Sequence, residues 1–466
     1  MINKGNSTQR ETGTIPLTGF GREDASPVHP GDRPNRSWAK GNRDMQNVLA
    51  MVLAGGRGTR LEPLTRDRAK PGVPFGGQYR IIDFVLSNCL NSGLRRIQVI
   101  TQYKAASLAR HMNHGWQFLC REMGEYIDII PPQQRVGEQW YLGTADAVYQ
   151  NIYSIEQESP EYTLILSGDH IYRMDYRPMI EQHIERRADL TIASLPVPAS
   201  ESRHFGILEV DAANNVLGFQ EKPARPNTIP GNPEQALASM GIYIFTTSVM
   251  FERLCQDAIK QNSSRDFGKD IIPQMVRDAR VISYPFIDEA TGNTAYWRDV
   301  GTLDSYYRTS MDLLEHNPPL DLYDPNWPFR TSPTHAAPPK FISSNAAGTA
   351  RSPRGQAIDS MICPGTIVDG GQIERSILAR NVRVGRSSLV EESIIGENVE
   401  IGEHCRIRRS IIDKDNVIPA GTQIGYDLAF DRRRGFTVSE EGLVIVPKGE
   451  TIEAFLAGDQ GRRRVS

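Results

Sequence analysis

The sequence has few cysteines, no long apolar run and little net charge, and each absence excludes a class of protein. Its five cysteines form no CxxC pair, which argues against a zinc site or a disulfide framework and fits a reducing cytoplasm. No apolar run approaches the ~18 residues of a transmembrane helix, and no apolar signal peptide opens the chain. The net charge of −3 gives no case for nucleic acid as a partner. We therefore expect a cytoplasmic globular protein that binds neither membranes nor nucleic acid.

The chain of 466 residues is long enough for two or three domains. Residues 1–44 lack a hydrophobic period and predict a disordered tail, with a tail that touches a regulator as the alternative. Residues 45–317 alternate apolar strands with amphipathic segments, which predicts an α/β, Rossmann-like domain with a mostly parallel sheet. Residues 318–340 are rich in proline and polar side chains and predict a linker. The predicted strands are Val48–Leu53, Ile97–Thr101, Leu164–Leu166, Leu190–Leu195, Val216–Phe219 and Met240–Phe245, and a helix is predicted over Ile81–Leu90.

Residues 341–466 have a different pattern, in which aliphatic residues recur every five or six positions, usually just before Gly or Asp. That period fits a left-handed parallel β-helix built from hexapeptide repeats, in which each short strand forms one side of a coil. A loose β-sandwich is the alternative. The recurring residues are Val384, Val390, Ile395, Ile401, Ile407, Ile412, Ile418 and Ile424.

A glycine-rich loop follows the first predicted strand. Its glycines carry no Cβ, so backbone N–H groups can approach an anion closely, and the arginines and lysine around it suit a polyphosphate. The loop is neither a Walker A motif nor a dinucleotide fingerprint, because it lacks the closing Gly-Lys-Ser/Thr and the third glycine. A glycine turn with solvated arginines is the alternative for a GGxG alone. The loop residues are Gly55, Gly56 and Gly58, with Arg57, Arg60, Arg68 and Lys70 around them.

Two aspartates are candidates for holding Mg²⁺. Asp169 follows a predicted strand, and Asp299 lies in the segment YWRDVGT, where Thr302 could cap the next helix. Two carboxylates at strand ends can hold Mg²⁺ against substrate phosphates, although each alone could serve a turn or a cap. Glu221-Lys222-Pro223 offers a phosphate-binding lysine, and Ser239 suits a sugar hydroxyl. The stretch WYLGTADA, from Trp140, predicts either a ligand pocket or core aromatics.

At this point nine motifs resemble the bacterial ADP-glucose pyrophosphorylase (glucose-1-phosphate adenylyltransferase) family. The resemblance runs from about residue 48 to residue 441 and includes a hexapeptide domain at the expected place. It implies the reaction of ATP with α-glucose 1-phosphate to give ADP-glucose and pyrophosphate, for glycogen synthesis. The motifs are LAGGRGTRL, KPGVPFGGQYRIIDFVLSNCLNSG, ITQYKA, QWYLGTADAVYQN, SGDHIY, EKP, LASMGIYIF, SSRDFGKDIIP and YWRDVGTLDSYY.

The resemblance also implies a role for each matching residue. Mg²⁺ is the implied cofactor, with Asp169 and Asp299 as its ligands. Arg60 and Lys70 complete the implied catalytic set by neutralising the triphosphate. For glucose 1-phosphate the implied residues are Tyr141, Gly206, Glu221, Lys222 and Ser239, and for ATP they are Leu53, Ala54, Gly55, Gly56, Gly58, Thr59, Gln102, Gly143 and Thr144.

Members of the family are usually homotetramers regulated by phosphorylated metabolites that bind between the catalytic and β-helix domains. The resemblance therefore makes the β-helix a regulatory and oligomerisation domain. Candidate effector residues are Arg68, Arg80 and the run Arg432-Arg433-Arg434, for which a solvated basic face is the alternative. The chain departs from the enteric pattern at Asp67, which replaces a basic residue that contacts the activator's phosphate. An aspartate would repel that anion and weakens the case for fructose 1,6-bisphosphate.

Three rival functions are compatible with parts of the sequence. A pyrophosphorylase for UDP-, dTDP- or GDP-sugars shares the polyphosphate chemistry, but the motifs GTADAVYQN, SGDHIY and RDFGKDIIP favour the adenylyl branch. A catalytically silent regulatory subunit could have the same architecture, but the implied catalytic residues are all present. A hexapeptide acyltransferase would need a catalytic histidine, for which only His404 is available within the coils. An adenylyltransferase is the function that accounts for both domains.

Overall fold

The computed structural model describes residues 45–56, 58–132, 140–288, 291–343, 354–451 and 455. The predicted tail, residues 1–44, and Arg57 lie outside these ranges. An α/β domain is followed by a β-helix, and both belong to one compact unit, Gly41–Ser466. Helices within the described ranges are all too short or too polar to cross a membrane.

The first domain is built on a nine-stranded sheet with β1 (Val48–Ala54) near its centre. The sequence of β1, VLAMVLA, is almost entirely buried, as a strand covered on both faces requires. Strands β4 and β6 pair with β1 in parallel, and β5 pairs with β4 in parallel. The pairs β2–β3 and β7–β13 form two ribbons apart from this sheet. The strands of the domain are β1, β2 (Pro74–Phe75), β3 (Tyr79–Arg80), β4 (Arg96–Thr101), β5 (Tyr126–Ile130), β6 (Tyr162–Ser167), β7 (His170–Tyr172), β8 (Leu190–Pro198), β9 (Gly206–Val210), β10 (Val216–Glu221), β11 (Gln235–Thr246), β12 (Val281–Pro285) and β13 (Trp297–Asp299).

Beyond β6 the sheet becomes antiparallel. Strand β11 runs antiparallel to β6, β8 and β9, and only β12 returns to a parallel pairing, with β8. The sheet is therefore mixed, with its parallel part around β1. All six predicted strands are present, but strand–helix alternation does not reveal the antiparallel half, because strand direction depends on pairing across the fold.

Helices cover both faces of the sheet and bury two apolar clusters there. Helix α1 spans Ile81–Asn91 where the sequence predicted Ile81–Leu90, and the carboxylate of Asp83 accepts a 2.8 Å hydrogen bond from the Arg80 N–H at its start. The helices of the first domain are α1, α2 (Ala106–Gly115), α3 (Thr144–Tyr149), α4 (Ile152–Glu158), α5 (Arg177–Glu185), α6 (Thr247–Ala258), α7 (Ile272–Asp278) and α8 (Leu303–Met311). A further helix, α9 (Leu428–Arg433), lies in the second domain.

The second domain is a β-helix whose short strands stack into three sheets, parallel throughout except for the pair β28–β29. Val384 pairs with Ile401 and Ile401 with Ile418, so each of these two coils takes 17 residues (401 − 384 and 418 − 401). All eight predicted aliphatic residues lie in its buried core, which confirms the hexapeptide prediction. The strands are β14 (Lys340–Ile342), β15 (Gln356–Ile358), β16 (Met361–Ile362), β17 (Ile367–Asp369), β18 (Gln372–Glu374), β19 (Ile377–Leu378), β20 (Arg383–Val384), β21 (Leu389–Glu391), β22 (Ile394–Ile395), β23 (Glu400–Ile401), β24 (Arg406–Arg408), β25 (Ser410–Ile412), β26 (Val417–Ile418), β27 (Gln423–Ile424), β28 (Thr437–Val438) and β29 (Val444–Val446).

The two domains share an apolar cluster in which Phe75 and Tyr306 of the first meet Ile394 and Ile411 of the second. A buried ion pair, Arg68–Asp413, crosses the same junction with an N···O distance of 2.6 Å. The segment 318–339 contains no helix or strand, yet it packs on α1, since Trp327 Nε1 donates a 3.0 Å hydrogen bond to Asn88 Oδ1. The described part of the chain thus joins its domains through side-chain packing as well as through the connecting segment.

Candidate active site

The glycine loop begins where β1 ends, at the carboxyl edge of the parallel strands. Gly58 has φ +63°, and a Cβ there would lie only 3.0 Å from the Lys70 Cβ and 3.1 Å from the Thr65 Cγ2. Thr65 Oγ1 donates a 2.8 Å hydrogen bond to the Gly58 carbonyl. Residue 58 therefore has to be glycine, and the loop is held against the segment that carries Lys70.

The two predicted metal ligands meet because β7 and β13 form an antiparallel ribbon. Asp169 follows β6 on Gly168, whose N–H donates a 3.0 Å hydrogen bond to the Leu53 carbonyl at the end of β1. Asp299 ends β13, where it is the register partner of His170. The ribbon therefore brings the two carboxylates, 130 positions apart (299 − 169), to the same strand edge as the glycine loop.

Lys70 joins both carboxylates. Its ammonium lies 2.9 Å from Asp169 Oδ2 and 2.8 Å from Asp299 Oδ1, while its own side chain is only 8 % exposed. Burial alone would lower the pKa of Lys70, but the two carboxylates outweigh burial and raise it. Lys70 is therefore charged at neutral pH.

Asp169 is held ionised by its neighbours. Burial alone would raise its pKa, but Lys70, His170 and the donating hydroxyl of Ser167 together lower it well below the ordinary value. His170 Nε2 lies 3.5 Å from Asp169 Oδ1, and its ring meets the Trp297 ring edge-on at 4.8 Å. His170 is not among the residues predicted from the sequence, although its position next to Asp169 in the motif SGDHIY indicates that it lies near the same site.

The residues present fit a divalent cation. Ligand atoms of Asp169, His170 and Asp299 all lie within 4.8 Å of one another, and the side chains of the two aspartates remain 29 % and 25 % exposed. The Lys70 ammonium shows that the space between the carboxylates accepts positive charge. Carboxylate oxygens are the ligands that Mg²⁺ prefers.

Arg60, the remaining member of the predicted catalytic set, lies near Asp299. A Cβ built on Gly301 would lie 3.0 Å from Asp299 Oδ2 and 3.2 Å from Arg60 Nη2. Arg60 belongs to the short 3₁₀ turn Thr59–Leu61 that closes the glycine loop. The structure thus brings together Arg60, Lys70 and both aspartates. It also places Gly301 against Asp299 and Arg60, a contact that the sequence did not predict.

Close packing or hydrogen bonding holds three of the predicted nucleotide residues, Gln102, Gly143 and Thr144. Gln102 packs on Gly55, where a Cβ would be 3.0 Å from the Gln102 Cβ, and its Nε2 donates a 3.2 Å hydrogen bond to the Tyr141 carbonyl. Gly143 packs on the backbone of Arg265, where a Cβ would clash with the carbonyl oxygen at 2.2 Å. The Thr144 hydroxyl is already used inside the protein, because it donates to Asp266 Oδ2 at 3.0 Å. The predicted contacts of these residues with ATP remain predictions.

The two aromatics of WYLGTADA differ in environment. Tyr141 is 9 % exposed within a core cluster, and its hydroxyl accepts a 3.0 Å hydrogen bond from Asn151 Nδ2. Trp140 is 56 % exposed. The core reading therefore applies to Tyr141, whose predicted contact with the sugar phosphate remains a prediction.

Three of the predicted sugar phosphate residues lie on strands of the antiparallel part of the sheet, with Gly206 on β9, Glu221 on β10 and Ser239 on β11. Lys222 Nζ pairs with Glu221 Oε1 at 3.0 Å, and Gly206 is the register partner of Glu221. Ser239 Oγ accepts a 3.3 Å hydrogen bond from the Gly241 N–H, and a Cβ on Gly241 would be 3.6 Å from the His170 ring. The part of β11 that contains Ser239 therefore lies next to His170.

Two of the five candidate effector residues line a cavity of about 180 Å³ between the domains. Arg68 contributes from the glycine-loop side and Arg80 from the start of α1. Burial lowers the pKa of Arg80 from its ordinary value. The other charged or titratable lining residues in the described part of the chain, apart from Tyr79, are Arg110, His111, His114, Arg380, Lys414 and the anionic Glu397.

The run Arg432–Arg434 does not line this cavity, so the structure does not bring it together with Arg68 and Arg80, and its predicted part in effector binding remains a prediction. The run lies at the end of α9, where Arg434 is buried, pairs with Asp431 and donates a 2.7 Å hydrogen bond to the Gln423 carbonyl. Through these contacts the buried Arg434 guanidinium fixes α9 on the last coil. Asp67 is also outside the cavity lining; its side chain is 56 % exposed beside Arg66.

Comparisons with known proteins agree with both domains. Residues 49–316 match the Nucleotidyl transferase family, and residues 337–446 match the GlmU-like, C-terminal hexapeptide family. A Glucose-1-phosphate adenylyltransferase of Rhodopirellula baltica is 53 % identical over 89 % of this chain and 93 % of its own length. One of Methylococcus capsulatus is 50 % identical over 87 % and 94 %, respectively. The chain therefore belongs to the glucose-1-phosphate adenylyltransferase family of nucleotidyltransferases.

Proposed function

We propose that this chain transfers the adenylyl group of ATP to α-glucose 1-phosphate and releases pyrophosphate. The observation that carries the proposal is the Lys70 ammonium between the Asp169 and Asp299 carboxylates, beside a glycine loop at the end of β1. This set of charges suits a nucleoside triphosphate. The name of the relatives, glucose-1-phosphate adenylyltransferase, indicates which sugar phosphate and which nucleotide we propose as substrates.

The chemistry asks little of the protein beyond alignment and charge. A phosphate oxygen of glucose 1-phosphate, ionised at neutral pH, attacks the α-phosphorus of ATP; the new P–O bond forms as the bond to the bridging oxygen breaks, and pyrophosphate leaves. No protein base is needed. Arg60 and Lys70 oppose the charge of the triphosphate, and Lys222 opposes that of the sugar phosphate.

We also propose Mg²⁺ as the cofactor, held by Asp169 and Asp299. When bound, it would offset negative charge on the departing pyrophosphate. The protein's own part is to hold the two carboxylates side by side and to keep Asp169 ionised, which the lowered pKa of Asp169 supports.

The physiological setting is part of the proposal. We propose a role in glycogen synthesis, a cytoplasmic location, assembly as a homotetramer, and regulation by phosphorylated metabolites. The basic cavity at Arg68 and Arg80 supports the last point, because its charge suits a small phosphorylated anion. The five free cysteines are consistent with a reducing compartment.

The test is pyrophosphate release by the purified protein with Mg²⁺ and glucose 1-phosphate, comparing ATP, UTP, dTTP and GTP. We expect strong preference for ATP, and a panel of sugar phosphates and nucleotides should then identify the effector. Preference for another nucleotide would move the chain to another sugar-nucleotide pathway. No release with any nucleotide would favour the silent regulatory subunit.

A matched pair of variants tests the catalytic set. Asp169→Asn should leave folding intact and lower turnover by several orders of magnitude, because it removes a carboxylate that faces both Lys70 and the proposed metal. Asp175→Asn is the control, since Asp175 pairs only with the nearby Arg177 at the surface. Near-normal turnover of Asp169→Asn would contradict the assignment.

A further inference from the structure

The motif SSRDFGKDIIP contains a glycine, Gly268, to which neither the sequence motifs nor the proposed reaction assign a role. Gly268 lies in the short helical segment Phe267–Ile271, and its N–H donates a 3.0 Å hydrogen bond to Asp266 Oδ1. A Cβ built on Gly268 would be 2.5 Å from Glu221 Oε2 and 3.0 Å from Glu221 Cδ. The Glu221 carboxylate thus occupies the space that a side chain at position 268 would take.

A second glycine bounds the same carboxylate. Gly206 is opposite Glu221 in the β9–β10 pair, and a Cβ there would lie 3.1 Å from Glu221 Oε2. Gly206 and Gly268 together form what we call the glycine slot. With its carboxylate in the slot, Glu221 keeps Oε1 3.0 Å from Lys222 Nζ, and its side chain is 18 % exposed.

We infer that Gly268 is a positioning residue for the sugar phosphate: the glycine slot holds the Glu221 carboxylate at the angle at which it accepts hydrogen bonds from the sugar hydroxyls. The inference rests on the proposed function, in which Glu221 and Lys222 bind glucose 1-phosphate. A carboxylate with few allowed positions loses little freedom on binding, and a displacement of about 1 Å costs much of its binding contribution.

The two glycines differ as experimental probes. A methyl group at Gly206 would also meet the Phe219 ring at 2.3 Å, so its substitution would disturb packing as well. At Gly268 the closest atoms are the end of the flexible Glu221 side chain, and the backbone is not in the left-handed region. Gly268→Ala should therefore fold normally and move only the Glu221 carboxylate.

The experiment compares steady-state kinetics of Gly268→Ala with the wild-type enzyme. We expect the KM for glucose 1-phosphate to rise about tenfold or more, with the KM for ATP within about twofold of wild type, because a lost hydrogen bond to a charged group costs that much. Gly218→Ala is the matched control: this glycine lies on the same strand as Glu221, and its Cβ would meet only Glu209, 3.2 Å away at Oε2.

A second variant separates positioning from general damage. Glu221→Asp shortens the side chain by one methylene, so in the Gly268→Ala background it should cost much less than it does alone. An unchanged KM for glucose 1-phosphate in folded Gly268→Ala, or an equal rise of both KM values, would overturn the inference. Failure of the proposed function would appear separately, as a wild-type protein that does not use glucose 1-phosphate.

Discussion

At the scale of single residues, Lys70 is under two opposing electrostatic influences. Its nearly complete burial favours the neutral amine, while two carboxylates within 2.9 Å favour the ammonium. The carboxylates prevail, and Lys70 in turn helps to lower the pKa of Asp169. Each charge in the group therefore depends on the others, which is why the loss of one should affect turnover more than an isolated surface charge would.

His183 is a buried titratable residue whose pKa is shifted by burial, without a charged partner. It is buried on α5 between two hydroxyls, with Nδ1 2.7 Å from Thr191 Oγ1 and Nε2 3.2 Å from Thr246 Oγ1. Burial lowers the pKa of His183 from 6.5 to about 4. The folded protein therefore keeps this imidazole neutral at pH values where the unfolded chain protonates it.

This difference predicts a loss of stability in mild acid. Between pH 6.5 and pH 4 the unfolded state binds more protons at this site, so the free energy of unfolding falls as pH falls, by about 2 kcal/mol from pH 7 to pH 5. Denaturant unfolding at the two pH values measures the change, and His183→Gln, which cannot titrate, isolates it. A variant with the same pH dependence as wild type would contradict the prediction.

At the scale of elements, the β7–β13 ribbon determines the separation of the two carboxylates. Its register places Asp299 opposite His170, so the Asp169 turn and the end of β13 lie side by side. The helix that follows, α8, is capped by Thr302, three residues after Asp299. Thr302 Oγ1 accepts a 3.2 Å hydrogen bond from the Ser305 N–H, and the Thr302 N–H donates a 3.0 Å hydrogen bond to Ser305 Oγ.

The cap predicts a measurable cost on removal. Thr302→Ala should lower the free energy of unfolding by about 1 kcal/mol, because it leaves the Ser305 N–H without its acceptor. Thr302→Ser keeps the hydroxyl and should stay close to wild type. Equal stability of the two variants in denaturant unfolding would argue that the cap contributes nothing.

At the corners of the β-helix, as at the cap of α8, polar side chains form hydrogen bonds that stabilise the local backbone. Asn381, Asn398 and Asp415 occupy equivalent corners of successive coils, all with positive φ. Their side chains form a ladder, with Asn381 Nδ2 donating to Asn398 Oδ1 at 3.2 Å and Asn398 Nδ2 to Asp415 Oδ1 at 3.0 Å. Asparagine and aspartate tolerate the left-handed conformation, which lets non-glycine residues turn these corners.

At the scale of the whole molecule, the junction of the domains carries a buried charge pair. Both side chains of the Arg68–Asp413 pair are 5 % exposed, and Arg68 lies two residues before Lys70. The junction therefore connects the coil at Asp413, the basic cavity and the segment that carries Lys70. The phosphorylated effectors proposed above would, on binding in this cavity, lie close to that segment.

Breaking the pair should be costly. Asp413→Asn should lower the free energy of unfolding by about 3 kcal/mol, since it leaves the Arg68 guanidinium buried without its counter-charge. Replacing both partners, by Arg68→Met with Asp413→Leu, should recover most of the loss. Asp67→Asn, which removes an exposed pair with Arg66, is the control and should change stability little. A small effect of Asp413→Asn in denaturant unfolding would mean that the junction does not depend on this pair.

Local chemistry in the sequence determined much of this protein. A strand such as VLAMVLA is apolar throughout because both of its faces are covered. The aliphatic residues of the β-helix recur about every six positions because each side of a coil contributes one buried residue. Gly58 is required because its φ is positive. The individual catalytic candidates, Asp169 and Asp299 among them, were also recognisable from residue type and motif. These features depend on neighbours in the chain.

The tertiary structure alone decided which distant residues meet. The Lys70 bridge, the slot around Glu221, the Arg68–Asp413 pair and the antiparallel half of the sheet each join positions far apart in sequence. The separation of Arg432–Arg434 from Arg68 has the same origin, because similar charge does not specify where two segments lie. Pairing and packing free energies set these contacts, and a local pattern of residue types does not encode them.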